Sequence, residues 1–305
     1  MKHLFLISAL LATWVTCSQA QQLPQYTQYM FNEYIINPAI AGKEDFFQAK
    51  ANYRYQWAGI TDAPRTYILS LYGPHKTKEM GFGGFVFNDV TGPTSRTGLH
   101  LSYSYILKLT EELKLSMALA AGLLQFKIDG TRINMLDVID PAFQNSVYTD
   151  RIPDATFGAY LYSKNYFFGL SAQQLLNNKM LLYSNDDGLN RVKNHFFAYG
   201  GYNYEINSDF SLEPSLLLKV MSPVPMQLDI TVKSAYKKMV YLGATFRTKD
   251  AIGLMIGYNY QNQLYFGYSY DMSITGIKNY NSGTHEFMVA ARFNKIKNFD
   301  KPLLK

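Results

Sequence analysis

The sequence holds a single cysteine, Cys17, in 305 residues. One thiol allows no disulfide framework, and loss of the segment that carries it also excludes a thiolate metal site and a Cys nucleophile. That segment reads as an export signal. Lys2 and His3 supply the positive end, Leu4 to Val15 the apolar run, and Ser18, Gln19 and Ala20 a small-residue cleavage site. Residues 1–20 are therefore expected to be removed, with a mature start near Gln21; Thr16 does not suit the small residue that precedes an acylated cysteine in a lipoprotein. A long apolar run is also lacking. The N-terminal one is too short to span a bilayer, for which a helix needs about 20 residues, and no later stretch reaches that length. Clustered charge is lacking too: the 29 basic and 23 acidic residues lie singly along the chain, giving no basic face for nucleic acid.

What is present is a two-residue beat. Lys50, Asn52, Arg54 and Gln56 alternate with Ala49, Ala51, Tyr53, Tyr55 and Trp57, and similar stretches recur almost to the C-terminus. Successive side chains of a strand point to opposite faces, so each stretch has one apolar and one polar wall. In a soluble sandwich the apolar wall would face a second sheet. Here the stretches are about ten residues long and follow a secretion signal, as in an outer-membrane barrel whose apolar wall faces lipid. The aromatic content of 15%, with 25 Tyr, fits the girdles such barrels carry at the membrane surface.

The alternation predicts strands at 46–57, 65–73, 80–88, 98–107, 113–126, 154–163, 165–172, 195–206, 210–220, 225–236, 239–247, 250–260, 263–271 and 284–294. The fold class is thus an all-β, transmembrane antiparallel β-barrel of about fourteen strands in the outer membrane, an even number as single-chain bacterial barrels require. The connections supply a second check, since these barrels have short periplasmic turns and longer extracellular loops. With the first strand running outward, the long connections 127–153, 173–194 and 272–283 all fall outside, and both termini fall in the periplasm. The organisation expected is a signal peptide at 1–20, a periplasmic N-terminal segment at 21–45, the barrel at 46–294 and a basic tail at 295–305. Segment 21–45 has three candidate roles: plugging the lumen, capping the periplasmic mouth, or binding a partner.

No catalytic, cofactor or metal site is expected. His100 and Ser102 lie two apart on one strand, the spacing of a lipid-cleaving dyad, but they share the polar phase and would face the lumen rather than lipid. Asp186, Asp187 and Gly188 lack the spaced oxygen ligands of a calcium loop and read as a turn. His75, His195 and His285 have no His partner at a zinc-motif spacing. Gly81, Gly83 and Gly84 lie in a strand, where they are expected to permit bending. Charges on the polar phases, including Lys50, Glu213, Lys219, Asp229, Lys233 and Arg247, are expected to pair across strands or to line a transport path.

Three runs near the N-terminus carry a family resemblance. They are Gln25-Tyr26-Thr27-Gln28-Tyr29-Met30-Phe31-Asn32, then Asn37-Pro38-Ala39-Ile40-Ala41-Gly42, then Tyr53-Arg54-Tyr55-Gln56-Trp57. Together with Asn88-Asp89, Leu212-Glu213-Pro214-Ser215, Gly267-Tyr268-Ser269-Tyr270-Asp271 and Gly283-Thr284-His285-Glu286, they resemble the PorP/SprF family over nearly the whole mature chain. These are outer-membrane proteins of the type IX secretion and gliding machinery of Bacteroidetes. The resemblance implies a barrel akin to the fatty-acid-channel type and a non-enzymatic part in protein secretion. It implies as partners a secreted adhesin or its C-terminal domain, a periplasmic peptidoglycan-binding protein, and outer-membrane lipid. Asn37, Pro38, Arg54, Gln56, Trp57 and Asp89 are carried over as motif positions for partner binding. Pro38 and Gly42 are best explained by backbone shape, and Trp57 by anchoring at the membrane interface. The competing reading is an outer-membrane channel for small or lipid-like substrates.

Overall fold

The computed structural model describes residues 24–76, 79–133, 147–180 and 191–296. The readings made for residues 1–20, Cys17, the loop at Asp186 and the lysines of the tail beyond 296 lie outside the described residues.

The chain forms a closed barrel of fourteen antiparallel staves. In chain order these are β1 (Phe47–Tyr55), β2 (Arg65–Pro74), β3 (Met80–Thr91), β4 (Thr94–Lys108), β5 (Lys114–Asp129), β6 (Val147–Tyr162) and β7 (Tyr166–Gln173). There follow β8 (His195–Tyr202) with its short continuation β9 (Tyr204–Glu205), then β10 (Phe210–Met221), β11 (Val224–Tyr236), β12 (Val240–Arg247), β13 (Ala251–Tyr260), β14 (Leu264–Ser273) and β15 (Thr284–Phe293). Each stave pairs with its neighbours in sequence, and β15 pairs with β1 to close the ring. Closure matters physically because in lipid an unpaired backbone group finds no water to replace its partner. All fourteen predicted strands are present. The hairpins at one end run further than expected: β3 continues to Thr91 and β4 starts at Thr94, so Gly92 and Pro93 alone replace the connection expected over 89–97.

Burial is inverted relative to a water-soluble sandwich. Leu101 and Leu119 are 64% and 65% exposed, whereas Arg54, Asp229 and Glu286 are 3%, 0% and 0% exposed. On β4 the phase is unbroken, with Leu99, Leu101, Tyr103 and Tyr105 outward and His100, Ser102 and Ser104 buried. An apolar belt of this kind is stable only against hydrocarbon.

The lumen is filled by the chain itself. Residues 24–42 take the first of the three roles open to the N-terminal segment and pack inside the barrel as three short 3-10 stretches, Thr27–Phe31, Glu33–Ile35 and Pro38–Ile40. Thr27 sits beside Arg54, Asp271 and Arg247, near the ends of β1, β14 and β12 on the side of the barrel that carries the long connections. Ala41 sits at the opposite end, beside Ser104 and Gly81. The plug thus begins in the half of the lumen with the long connections and leaves from the half with the short turns, where β1 starts. Both ends of the mature chain were expected on the short-turn side; the first described residues, Pro24 to Tyr26, lie in the other half of the barrel.

Candidate functional site: the plug and its lumenal anchor

The turn around Asn37 is dictated locally. Asn37 is extended and its Oδ1 accepts from the Ala39 backbone N–H at 3.0 Å, while Pro38, with φ already fixed and no N–H to satisfy, starts the turn. The amide of Asn37 then donates to the carbonyls of Ala159 at 2.9 Å and Leu170 at 3.2 Å, stitching the plug to β6 and β7. Gly42 ends the segment in the left-handed region at φ +83°, where a side chain would be strained.

Aromatic contacts fill the space between plug and wall. Tyr34 stacks on Tyr72 with centroids 4.4 Å apart and shares a 2.6 Å hydrogen bond with Ser102. Phe31 meets Tyr265 at 4.8 Å and the edge of Tyr241 at 5.5 Å, with Lys233 Nζ 5.2 Å from its ring centre. Two of the three β3 glycines expected to permit bending, Gly81 and Gly83, also make room for the plug, whereas Gly84 lies against Leu101 of the wall. A Cβ on Gly81 would lie 2.2 Å from the carbonyl oxygen of Ala41.

The strongest tie is a buried charge cluster centred on Thr27. Arg54 reaches Asp271 at 2.8 Å and Glu286 at 3.0 Å; Arg247 reaches Asp229 at 3.2 Å, Asp250 at 3.3 Å and Asp271 at 3.4 Å. Lys219 adds a 2.9 Å pair to Asp229. The Thr27 hydroxyl lies 2.6 Å and 2.7 Å from the two carboxylate oxygens of Asp271 and accepts from both guanidiniums at 3.2 Å. Its backbone N–H donates to Glu286 at 2.8 Å. Gly253 lies on the strand between Arg247 and Asp271 and presents no side chain to separate them: a Cβ there would stand 2.7 Å from Asp271 Oδ1. Charges this deep are tolerated only when paired and hydrogen-bonded. Here the pairing is completed by the plug, so wall and plug stabilise each other.

Of the six motif positions, Asn37, Pro38 and Arg54 meet in the lumen as parts of the plug and its anchor. Asp89 is close by on β3 and accepts a 2.6 Å hydrogen bond from Thr66. Gln56 and Trp57 are half-buried just past β1 at the long-connection end, where the Trp57 N–H donates to Thr284 Oγ1 at 3.1 Å. The expected pairing of inward charges also holds in Lys233 with Glu213 at 2.8 Å. Thr27, Asp271 and Glu286 were not singled out as site residues, although each lies in a motif run. His100 and Ser102 do not act together: His100 pairs with Asp154 at 2.9 Å, and Ser102 with Tyr34. Among the described residues, no group of three His, Cys, Asp or Glu is placed to hold a metal ion.

A lipid-facing belt, a closed ring of strands and a lumen occupied by polar side chains define an outer-membrane β-barrel. The chain matches the model of the type IX secretion system membrane protein PorP/SprF over residues 18–291, and it belongs to that family. No curated protein matches it in sequence. Among solved structures, CymD, a monoaromatic hydrocarbon channel, aligns over 88% of this chain and 92% of its own at 10% identity and a TM-score of 0.49. Omp33 of Acinetobacter baumannii aligns over 83% and 99% at 10% identity and a TM-score of 0.47. A Pseudomonas aeruginosa FadL homologue aligns over 81% and 90% at 11% identity and a TM-score of 0.45.

Proposed function

We propose that this protein is a non-enzymatic scaffold of the type IX secretion and gliding machinery, supporting export or surface anchoring of a secreted adhesin and contacting periplasmic partners. The observation that carries this reading is the plug. A lumen spanned by residues 24–42 and tied to four strands through Thr27, Arg54, Arg247, Asp271 and Glu286 suits a rigid platform better than a pore. The long connections offer a face to a secreted C-terminal domain, and the short-turn end offers one to a peptidoglycan-binding protein. Gln56 and Trp57, at the rim of the long-connection end, are the motif residues best placed to touch the secreted partner. The channel reading for small or lipid-like substrates requires the buried charge cluster to come apart during each passage.

The test is the surface proteome of a strain lacking the gene, with purification of the tagged barrel from its own outer membrane. Loss of particular adhesins from the surface, with one of them co-purifying, is the expected result. An unchanged surface proteome and a barrel without companions would overturn the proposal.

A further inference from the structure

The plug does not fill the lumen completely. In the half with the long connections a cavity of about 140 Å³ remains between Pro24–Tyr26, the inner faces of β2 to β5 and the tops of β8 and β10. Its wall is mainly apolar, with Phe85, Phe87, Leu124 and Leu217 contributing; the last three are buried. A dry cavity of about 150 Å³ accepts one benzene ring, so this space matches a single six-membered aromatic ring.

Two polar atoms in that wall are unsatisfied, Gln25 Oε1 and His100 Nδ1. His100 is 5% exposed and lies flat on Phe85, with ring centroids 4.7 Å apart and planes 15° from parallel. Its Nε2 pairs with Asp154 at 2.9 Å, and its Nδ1 has no hydrogen-bond partner among the described residues. The carboxylate only accepts, so Nε2–H donates to it, and in that tautomer Nδ1 is an acceptor without a partner. Other polar groups in the wall are engaged: Lys219 with Asp229, and His195 Nδ1 with the Lys193 carbonyl at 2.9 Å. A buried acceptor without a donor costs free energy that a ligand hydroxyl would recover.

We propose that this cavity is a binding site for one phenolic ring, its hydroxyl donating to His100 Nδ1 and its ring seated among the phenylalanines and leucines. The ring can come from a free small phenol or from a tyrosine side chain of a partner reaching in from the long-connection face. The site stands on the cavity alone and does not depend on the secretion role.

The test is ¹⁹F NMR of the full-length barrel in detergent with 4-fluorophenol and fluorobenzene as probes. A saturable bound resonance is expected for 4-fluorophenol, with affinity about five- to tenfold above fluorobenzene, the worth of one net hydrogen bond. Ala120→Phe, which places a ring in the cavity, is expected to abolish binding while the barrel keeps its heat-dependent gel mobility. His100→Phe is expected to remove the preference between the probes; because it strands Asp154, Ala120→Phe serves as the independent variant. Displacement of the probe by Gly-Tyr-Gly but not Gly-Phe-Gly assigns the site to a tyrosine side chain, and displacement by neither assigns it to a free phenol. Equal affinity for the two probes in the wild type, no saturable resonance, or a bound resonance that survives Ala120→Phe would overturn the proposal.

Discussion

Replacing Arg54 with alanine removes both ion pairs of a guanidinium that is only 3% exposed, one to Asp271 at 2.8 Å and one to Glu286 at 3.0 Å. Asp271 keeps Thr27 and Arg247, the latter at 3.4 Å. Glu286 keeps only hydrogen bonds from the plug, from the Thr27 N–H at 2.8 Å and the Gln28 N–H at 3.3 Å. Removing one partner of a buried pair costs about 3–5 kcal/mol, and the remaining contacts of Asp271 place this case near the lower end. Both ion pairs join wall strands to one another; only the bond from Arg54 to the Thr27 hydroxyl at 3.2 Å reaches the plug, and a hydrogen bond to a charged group is worth about 1.5–3 kcal/mol, so the undocked population rises roughly ten- to hundredfold. Chymotrypsin cleavage after Tyr29, Phe31 and Tyr34 reads that population, because proteolysis follows the equilibrium amount of the open form when reclosing is fast. Cleavage of purified Arg54→Ala protein is therefore expected to be about ten- to a hundredfold faster than in the wild type. Arg54→Lys is expected to fall between, because an ammonium cannot make the forked contact to two carboxylates. A folded Arg54→Ala barrel with unchanged cleavage would refute the reasoning.

Four further substitutions test other parts of the account. Asn37→Ala loses the turn cap and both bonds to the Ala159 and Leu170 carbonyls, and should speed the same cleavage by about thirtyfold, the two wall bonds contributing about 1 kcal/mol each. Gly81→Val drives a side chain into the Ala41 carbonyl and should displace the C-terminal end of the plug while β3 remains paired, read as new cleavage near residue 41. Leu101→Arg puts a charge on the lipid-facing wall, where it costs about 2–4 kcal/mol near the bilayer midplane. Its urea unfolding midpoint in vesicles should fall, whereas Ser102→Thr on the lumenal phase should leave the midpoint nearly unchanged.

The strands were legible because alternation accumulates over ten residues or so, and a single glycine or charge does not erase it. It failed where both walls turn polar. The stretch 89–97 reads as a connection, yet Gly92, with φ +56°, lets two residues turn the chain and the ladder continues on either side. Arg54 and Asn37 stood out as motif members, but the cluster they anchor did not. Asp271 and Glu286 lie more than two hundred residues from Arg54, and only the β1–β15 register, with Arg54 opposite Glu286, brings them together. The plug was one of three roles open to the N-terminal segment. Its polar and aromatic composition suits lumen, mouth and partner surface alike, and only the contacts choose between them. The plug contact of Gly81 was hidden for the same reason: the space left by a missing side chain takes its meaning from what fills it, here Ala41.

The central claim is that the barrel is sealed by its own N-terminal segment. The most direct test is the conductance of purified full-length protein in planar bilayers, with a variant lacking residues 24–42 as the comparison. The account predicts a silent wild type and steady open steps in the variant. Steady wild-type conductance that matches the variant would contradict it and make the protein a channel.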